Sequence, residues 1–341
     1  MPVPSYPDFV PLNLDLKNEL HPRLSLTADG VSEFTFSGLY LFRDRYKYRI
    51  SRSPGPQPSL KGEGSPPDGG FIISGEQPVD HGHSPATAPQ PGQKFFMTPC
   101  GAPDREVLES LFKTHDYWKN VSDSVLTSVR ERLEQQGITI TEDRNNFDYL
   151  YFRNDLAELT GKKYHKKKNL VNQFLHTYEN HEGRQLTAAL IPQAMEILDR
   201  WRQDKGEDWD YRAAREALEL FEPLKLRGAI YYVNGKPAAY CQGESIAKGK
   251  MFAIHFEKAI DEYKGIYQFM NQAFAAALPR FFTYINREQD LGDEGLRQAK
   301  MTYRPAGFVQ KYTGRLQECL SPPLPGGDVV LAYCGQHPAL L

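Results

Sequence analysis

The chain has 341 residues, more than one ordinary core holds, so about two domains is the natural expectation. Its composition is that of a globular protein, with 40% hydrophobic, 25% charged and 12% aromatic residues. A net charge of −2 excludes a globally basic nucleic-acid coat, so any polyanion would have to meet a local patch.

The amino terminus, MPVPSYPDFVPLNLDL, has neither the basic start nor the apolar core of a signal peptide. No apolar run approaches the roughly 20 residues that span a bilayer, and a cytoplasmic location is expected. Tyr40 to Ile50 alternates like a strand. Residues 51–93 are rich in Pro, Gly and Ser, apart from the apolar run Phe71 to Ser74, and read as a flexible insertion between two strands. His81 and His83 lie in it without carboxylate or cysteine partners, so no metal site is expected there. Cys100, Cys241, Cys319 and Cys334 are scattered without CxxC spacing, which argues against a disulfide framework and a zinc site alike.

A strand resumes at Phe95, and helices are expected from Asp104 and over Ser124 to Gln136. Phe147 to Phe152 (FDYLYF) is a strand, and Asp155 opens a helical pattern. Its continuation from Leu170 puts Val171, Phe174 and Leu175 on one face. Between them lies GKKYHKKKN, and the domain boundary is placed here, giving 1–165 and 166–341. Helices then cover Ala188 to Arg202 and Tyr211 to Phe221. A meander follows, turned by Asn234-Gly235, a strong hairpin signal. A helix from Gly265 to Leu278, an aromatic strand ending at Ile285, a short helix, a strand from Phe308 and a last strand at Val329 to Tyr333 complete the chain. Helices, an antiparallel meander, then helix, strand, helix and strand is the order of the GNAT acyltransferase fold, and the first half repeats it weakly. The expected fold class is therefore α/β (α+β): two tandem GNAT domains, each a mixed central sheet flanked by helices.

Three stretches could carry chemistry. His255 and Glu257 stand two apart on a strand and project from one face, as a general base and its orienter would. They read equally as a structural pair linked to Lys258 or Arg287. Asn286, Arg287, Glu288, Gln289 and Asp290 form a charged loop at the carboxyl end of a strand, where open α/β sheets hold ligands. The bland alternative is a solvated turn with Asp290 as helix N-cap. Lys162, Lys163, Lys166, Lys167 and Lys168 are a dense cationic run that gains from an anionic partner such as a phosphate backbone or lipid head group. It reads equally as a solvated helix start balanced by Asp155 and Glu158. Glu262-Tyr263-Lys264-Gly265-Ile266-Tyr267 occupies the place of a diphosphate-binding loop. Glu262 would repel a diphosphate there and Tyr267 would block its close approach, so acetyl-CoA is the less favoured donor.

Together FDYLYFRNDLAELTGKKYHKKKNLVNQFL, HFEKA and INREQDLGDEGLRQAKMTYRP resemble the C-terminal domain family of bacterial phosphatidylglycerol lysyltransferases, specifically its soluble tandem-GNAT branch. The resemblance implies a fold shared with aminoacyl-tRNA-dependent transferases of the lipid and Fem types, hence aminoacyl-tRNA as donor and no tightly bound cofactor. The expected catalytic residues are His255, Glu257 and Arg287. Asn286, Glu288, Asp290, Lys300, Tyr303, Gly265 and Tyr267 would bind substrate, and the lysines at 162–168 the tRNA or an anionic lipid head group. An acetyl-CoA-dependent N-acetyltransferase and a non-catalytic RNA- or anion-binding protein are the competing expectations.

Overall fold

The computed structural model describes residues 2–54, 70–79, 89–205 and 209–317. The first half contributes β1 (Val10–Pro11), β2 (Arg49–Arg52), β3 (Phe71–Glu76), β4 (Lys94–Met97), β5 (Tyr117–Ser122), β6 (Ile138–Glu142) and β7 (Asp148–Phe152). The second contributes β8 (His181–Gln185), β9 (Arg227–Val233), β10 (Lys236–Ile246), β11 (Met251–Ala259), β12 (Tyr284–Asn286), β13 (Gly307–Val309) and β14 (Lys311–Leu316). Helices α1 (Lys17–Leu24), α2 (Phe36–Leu41), α3 (Arg43–Tyr46), α4 (Arg105–Phe112), α5 (Asp123–Gln135) and α6 (Arg153–Glu158) lie in the first part. They are followed by α7 (His165–Thr177), α8 (Ile191–Lys205), α9 (Trp209–Glu219), α10 (Ile266–Ala277) and α11 (Glu294–Met301).

The strands form two seven-stranded sheets, ordered β1-β2-β3-β4-β5-β14-β6 and β13-β7-β12-β11-β10-β9-β8. Each contains one parallel pair joined through a helix, β4–α4–β5 and β11–α10–β12, beside an antiparallel meander. That is the two-lobed GNAT architecture. Asn234 and Gly235 both take positive φ, and Lys236 pairs back with Val233, as the Asn-Gly hairpin demands.

The lobes exchange their last strands. β7 leaves the first half to pair with β12 and β13, and β14 returns to pair with β5 and β6. The first crossing therefore precedes the expected division at 165/166, and the second carries Lys311–Leu316 back into the first lobe. Tyr149 and Tyr151 of β7 are buried and need covered neighbours on both edges, which the second sheet supplies. One apolar cluster joins the lobes, uniting Tyr48, Ile50 and Phe95 with Leu198, Leu218, Tyr240 and Phe256.

Two readings of the first half need correction. Tyr40 to Ile50 is not one strand but the end of α2, then α3 and the start of β2. Thr35 caps α2 through Gly38 N–H at 2.9 Å, and Lys47 ends α3 in the left-handed region. Arg43 pairs with Glu216 of α9 at 2.8 Å, so packing against that helix overrides the alternation. Within the presumed insertion, Phe71–Glu76 is a full strand of the first sheet because Phe71, Ile72 and Ile73 are buried apolar residues. The pair His81 and His83 and the strand expected at Val329 to Tyr333 lie outside the described residues.

Candidate active site

A cleft of about 820 Å³ opens between the lobes. Its second-lobe wall is the end of β11, from Ile254 to Lys258, and the loop Arg287 to Gln289. Its first-lobe wall is α2–α3 with Phe42, Arg45 and Tyr46, and the β5 residues Lys119 and Asn120. His255, Glu257, Arg287, Glu288 and Lys300 thus meet in one space. Asn286, Asp290, Tyr303, Gly265 and Tyr267 are not among its lining residues.

His255 is placed there by a β-bulge. Gln242 pairs with Phe256 and Gly243 with Ile254, so His255 is the extra residue of β11. The bulge needs glycine at 243, since a Cβ there would stand 1.8 Å from the Ala253 carbonyl oxygen. Both ring nitrogens of His255 are engaged: Nε2 with Glu244 Oε1 at 3.0 Å and Nδ1 with Glu288 Oε1 at 2.7 Å. Burial works against a charge on the ring, but the bonds to Glu244 and Glu288 outweigh it and raise its pKa to about 10. His255 is thus a protonated clamp between two carboxylates.

Arg287 donates to Glu257 and lies 5.2 Å from the centre of the Tyr303 ring. Burial opposes its charge, yet Glu257, Tyr151 and Tyr303 hold the guanidinium firmly cationic, and its Nε is buried without a partner. The loop around it is built from the other predicted residues. Lys300 Nζ donates to the carbonyls of Arg287 and Gln289 at 2.7 and 2.5 Å, and burial with the neighbouring Arg287 lowers its pKa to about 8. Asn286, fully buried, donates to Gly30 O at 2.9 Å and Asp148 Oδ2 at 3.1 Å, tying the loop to the other lobe. Asp290 accepts from Tyr149, Arg297 and Gly292 N–H. Burial alone would raise its pKa, but the bonds from Arg297 and Tyr149 hold it down at about 2. The N-cap of α11 is Asp293, not Asp290, because Asp293 accepts from Leu296 N–H at 2.7 Å.

Beneath the strand exchange, Lys311 joins Asp148 at 2.7 Å and also Glu33, with both Lys311 and Asp148 wholly buried. These residues fix where the chain crosses between sheets, immediately behind Asn286.

The lysine run flanks a second groove. Lys162, Lys163, Lys166 and Lys167 line it with Arg304 and Gln298, whereas Lys168 is exposed and is not among its lining residues. Lys163 pairs with Asp155 at 2.8 Å. Lys167 rests 4.1 Å from the centre of the Tyr303 ring, so this groove reaches the face of Tyr303, which also packs beneath Arg287. α7 packs on one side of the turn before α10. A Cβ on Gly265 would stand 2.8 Å from the Leu170 carbonyl oxygen of α7, and Glu262 pairs with Arg200 at 3.2 Å. Tyr267 turns inward, its hydroxyl accepting from Ala259 N–H at 3.3 Å.

Sequence reading missed Glu244, Lys119, Asn120, Glu33 and the pair Asp148–Lys311. Glu244 could have been found by folding the β10–β11 hairpin back to His255. The others meet only in three dimensions. Among the described residues no group of three or more His, Cys, Asp or Glu is placed to hold a metal ion, and no helix is long and apolar enough to cross a membrane.

A crystal structure of a conserved protein of unknown function from Bacteroides thetaiotaomicron VPI-5482 is similar over 91% of this chain and 99% of that one, with TM-score 0.75 and 28% identity. The C-terminal domain of a protein assigned as a lysylphosphatidylglycerol synthetase in Agrobacterium fabrum shares the fold, with TM-score 0.55 and 13% identity over 89% and 93% of the two chains. An uncharacterised protein of Mycoplasmoides gallisepticum is 23% identical over 179 residues, 51% of this chain, which spans only 56% of that relative's length. Residues 90–314 match the model of the family described as phosphatidylglycerol lysyltransferase, C-terminal, and the chain belongs to that family.

Proposed function

We propose that this protein is an acyltransferase that moves an aminoacyl group from its ester on tRNA to a hydroxyl or amine acceptor bound between the lobes. The observation that carries the reading is the pairing of a buried, cationic Arg287 with Glu257 beside the His255 bulge, in a cleft that both lobes wall. The family's lysyltransferase name and the basic groove behind Tyr303 agree with it.

In this reading Arg287 faces the charge that develops on the ester carbonyl oxygen, in a cleft where water is partly excluded. Glu257 takes the proton from the acceptor. The acceptor's oxygen or nitrogen bonds to the carbonyl carbon, the ester C–O bond breaks, and the tRNA hydroxyl leaves with that proton. His255, already protonated, has no lone pair to offer while both carboxylates hold it. Its part is to position Glu288 and the loop that carries Arg287. Lys162, Lys163, Lys166, Lys167 and Arg304 would meet the tRNA phosphates. Coenzyme A is disfavoured as donor by the packing of α7 on the Gly265 turn.

Incubating the protein with a pool of labelled aminoacyl-tRNAs and a cell extract should move label to an acceptor. Glu257→Gln and Arg287→Lys should each lower that transfer by about 10²-fold or more while thermal melts stay cooperative. Undiminished transfer by both variants would remove the site assignment, and micromolar binding of coenzyme A would remove the donor.

A further inference from the structure

The first-lobe wall of the cleft carries a second irregularity that the transfer chemistry above does not use. Tyr312 pairs with Val121 and Gly314 with Trp118, so Thr313 alone stands opposite both Lys119 and Asn120. This is a bulge in β5, and Asn120 adopts a φ of 55° to make it, a left-handed conformation rare outside glycine.

Both bulge residues line the cleft and both are under-used. Lys119, 8% exposed, makes no hydrogen bond or salt bridge among the described residues, and its charge acts at longer range on Glu33. Its ammonium sits between the Tyr46 and Phe95 rings, 5.0 and 4.9 Å from their centres. Asn120 is 1% exposed: its amide nitrogen reaches only Met97 Sδ at 3.6 Å, and its carbonyl oxygen has no partner. A buried amide oxygen left unpaired beside an ammonium that lines the cleft carries a desolvation cost that a ligand can recover. The ammonium selects an anion, and the amide oxygen selects an adjacent N–H or O–H donor.

The rest of the cleft narrows the choice. Glu33, Asp210, Glu257 and Glu288 line it together with Arg45, Arg212, Lys258, Arg287 and Lys300, so both signs are present. A zwitterion can use both signs, its carboxylate at the cations and its N–H groups at the carboxylates. We infer that the Lys119–Asn120 bulge is the carboxylate subsite for the acceptor, a small amine of the amino-acid or peptide kind whose carboxylate pairs with Lys119 and whose neighbouring N–H donates to Asn120. This inference rests on the transferase reading for the word acceptor, but the subsite itself needs no donor to be tested.

Binding of alanine, alanylalanine, alanylalanine amide and glycerol phosphate to the full chain can be followed by saturation-transfer NMR and calorimetry. Alanine or alanylalanine should bind, the one that does identifying a free amino acid or a peptide terminus as the source. Blocking the carboxylate as the amide should weaken binding tenfold or more. Lys119→Met should do the same, Lys119→Arg should retain most of the affinity, and Asn120→Gly, which keeps the backbone conformation, should lose part of it. Absence of binding by both carboxylates, equal binding of the amide, unaltered affinity in Lys119→Met, or tighter binding of glycerol phosphate would each overturn the proposal. A protein that binds these ligands yet transfers nothing from any charged tRNA would end the transferase reading and leave this subsite standing.

Discussion

The clamp on His255 predicts a pH dependence of stability with a definite sign. In the unfolded chain histidine titrates near its ordinary 6.5, whereas the folded ring holds its proton to about 10. A group whose proton affinity rises on folding stabilises the protein fully below the unfolded value and loses that contribution as pH climbs to the folded one. At about 1.4 kcal/mol for each tenfold change in affinity, the full contribution is roughly 4–5 kcal/mol. The perturbation is His255→Gln, which keeps a polar side chain but no titrating charge. Unfolding free energies of wild type and variant would be measured in urea, an uncharged denaturant, at half-unit steps from pH 6 to 10. The difference between the two proteins cancels titrations elsewhere. It should start at several kcal/mol and shrink by up to about 1.4 kcal/mol per pH unit above 6.5. A difference that stays flat across this window would mean that the folded ring is neutral, and the clamp, with the choice of Glu257 as base, would fail.

Three further outcomes follow from the same geometry. Lys311→Met leaves the buried carboxylate of Asp148 uncompensated and should cost about 3–5 kcal/mol, read as a lower urea midpoint. A midpoint unchanged within error would show that the strand exchange is held by its ladders alone. Gly243→Ala must push against the Ala253 carbonyl at 1.8 Å, so the bulge should flatten and transfer activity should fall more than global stability does. Equal activity in the variant would separate the bulge from function. Replacing Lys162, Lys166 and Lys167 together with Ala should weaken tRNA binding and flatten its salt dependence, by about 0.7 to 0.9 in log K against log salt for each phosphate that is no longer neutralised. An unchanged slope would place tRNA elsewhere.

Much of the architecture is legible in the sequence. The Asn234-Gly235 turn, the β9–β10–β11 meander, α10 and the run from Tyr284 through α11 are dictated by local pattern, because each element's period and its bounding turn residues sit within a dozen positions of one another. The same locality makes His255 and Glu257 legible as a pair, whereas Arg287 joins them only through the expected fold. It misled at Tyr40 to Ile50, where alternation imitated a strand and only the contact of Arg43 with Glu216 on a distant helix decides for α2 and α3.

By itself the order of residues determines most of the strands and helices and that two GNAT-type lobes follow one another. Tertiary structure alone decides which lobe owns β7 and β14, and that Asp148 and Lys311, far apart along the chain, end as a buried pair at the crossing. It also decides that His255 keeps its proton and that Lys119 and Asn120 face the second-lobe residues across a cleft. The reason is physical: propensity and period act over neighbouring residues, whereas burial, bulges and charge pairing depend on which surfaces close over a site once the chain has come back on itself.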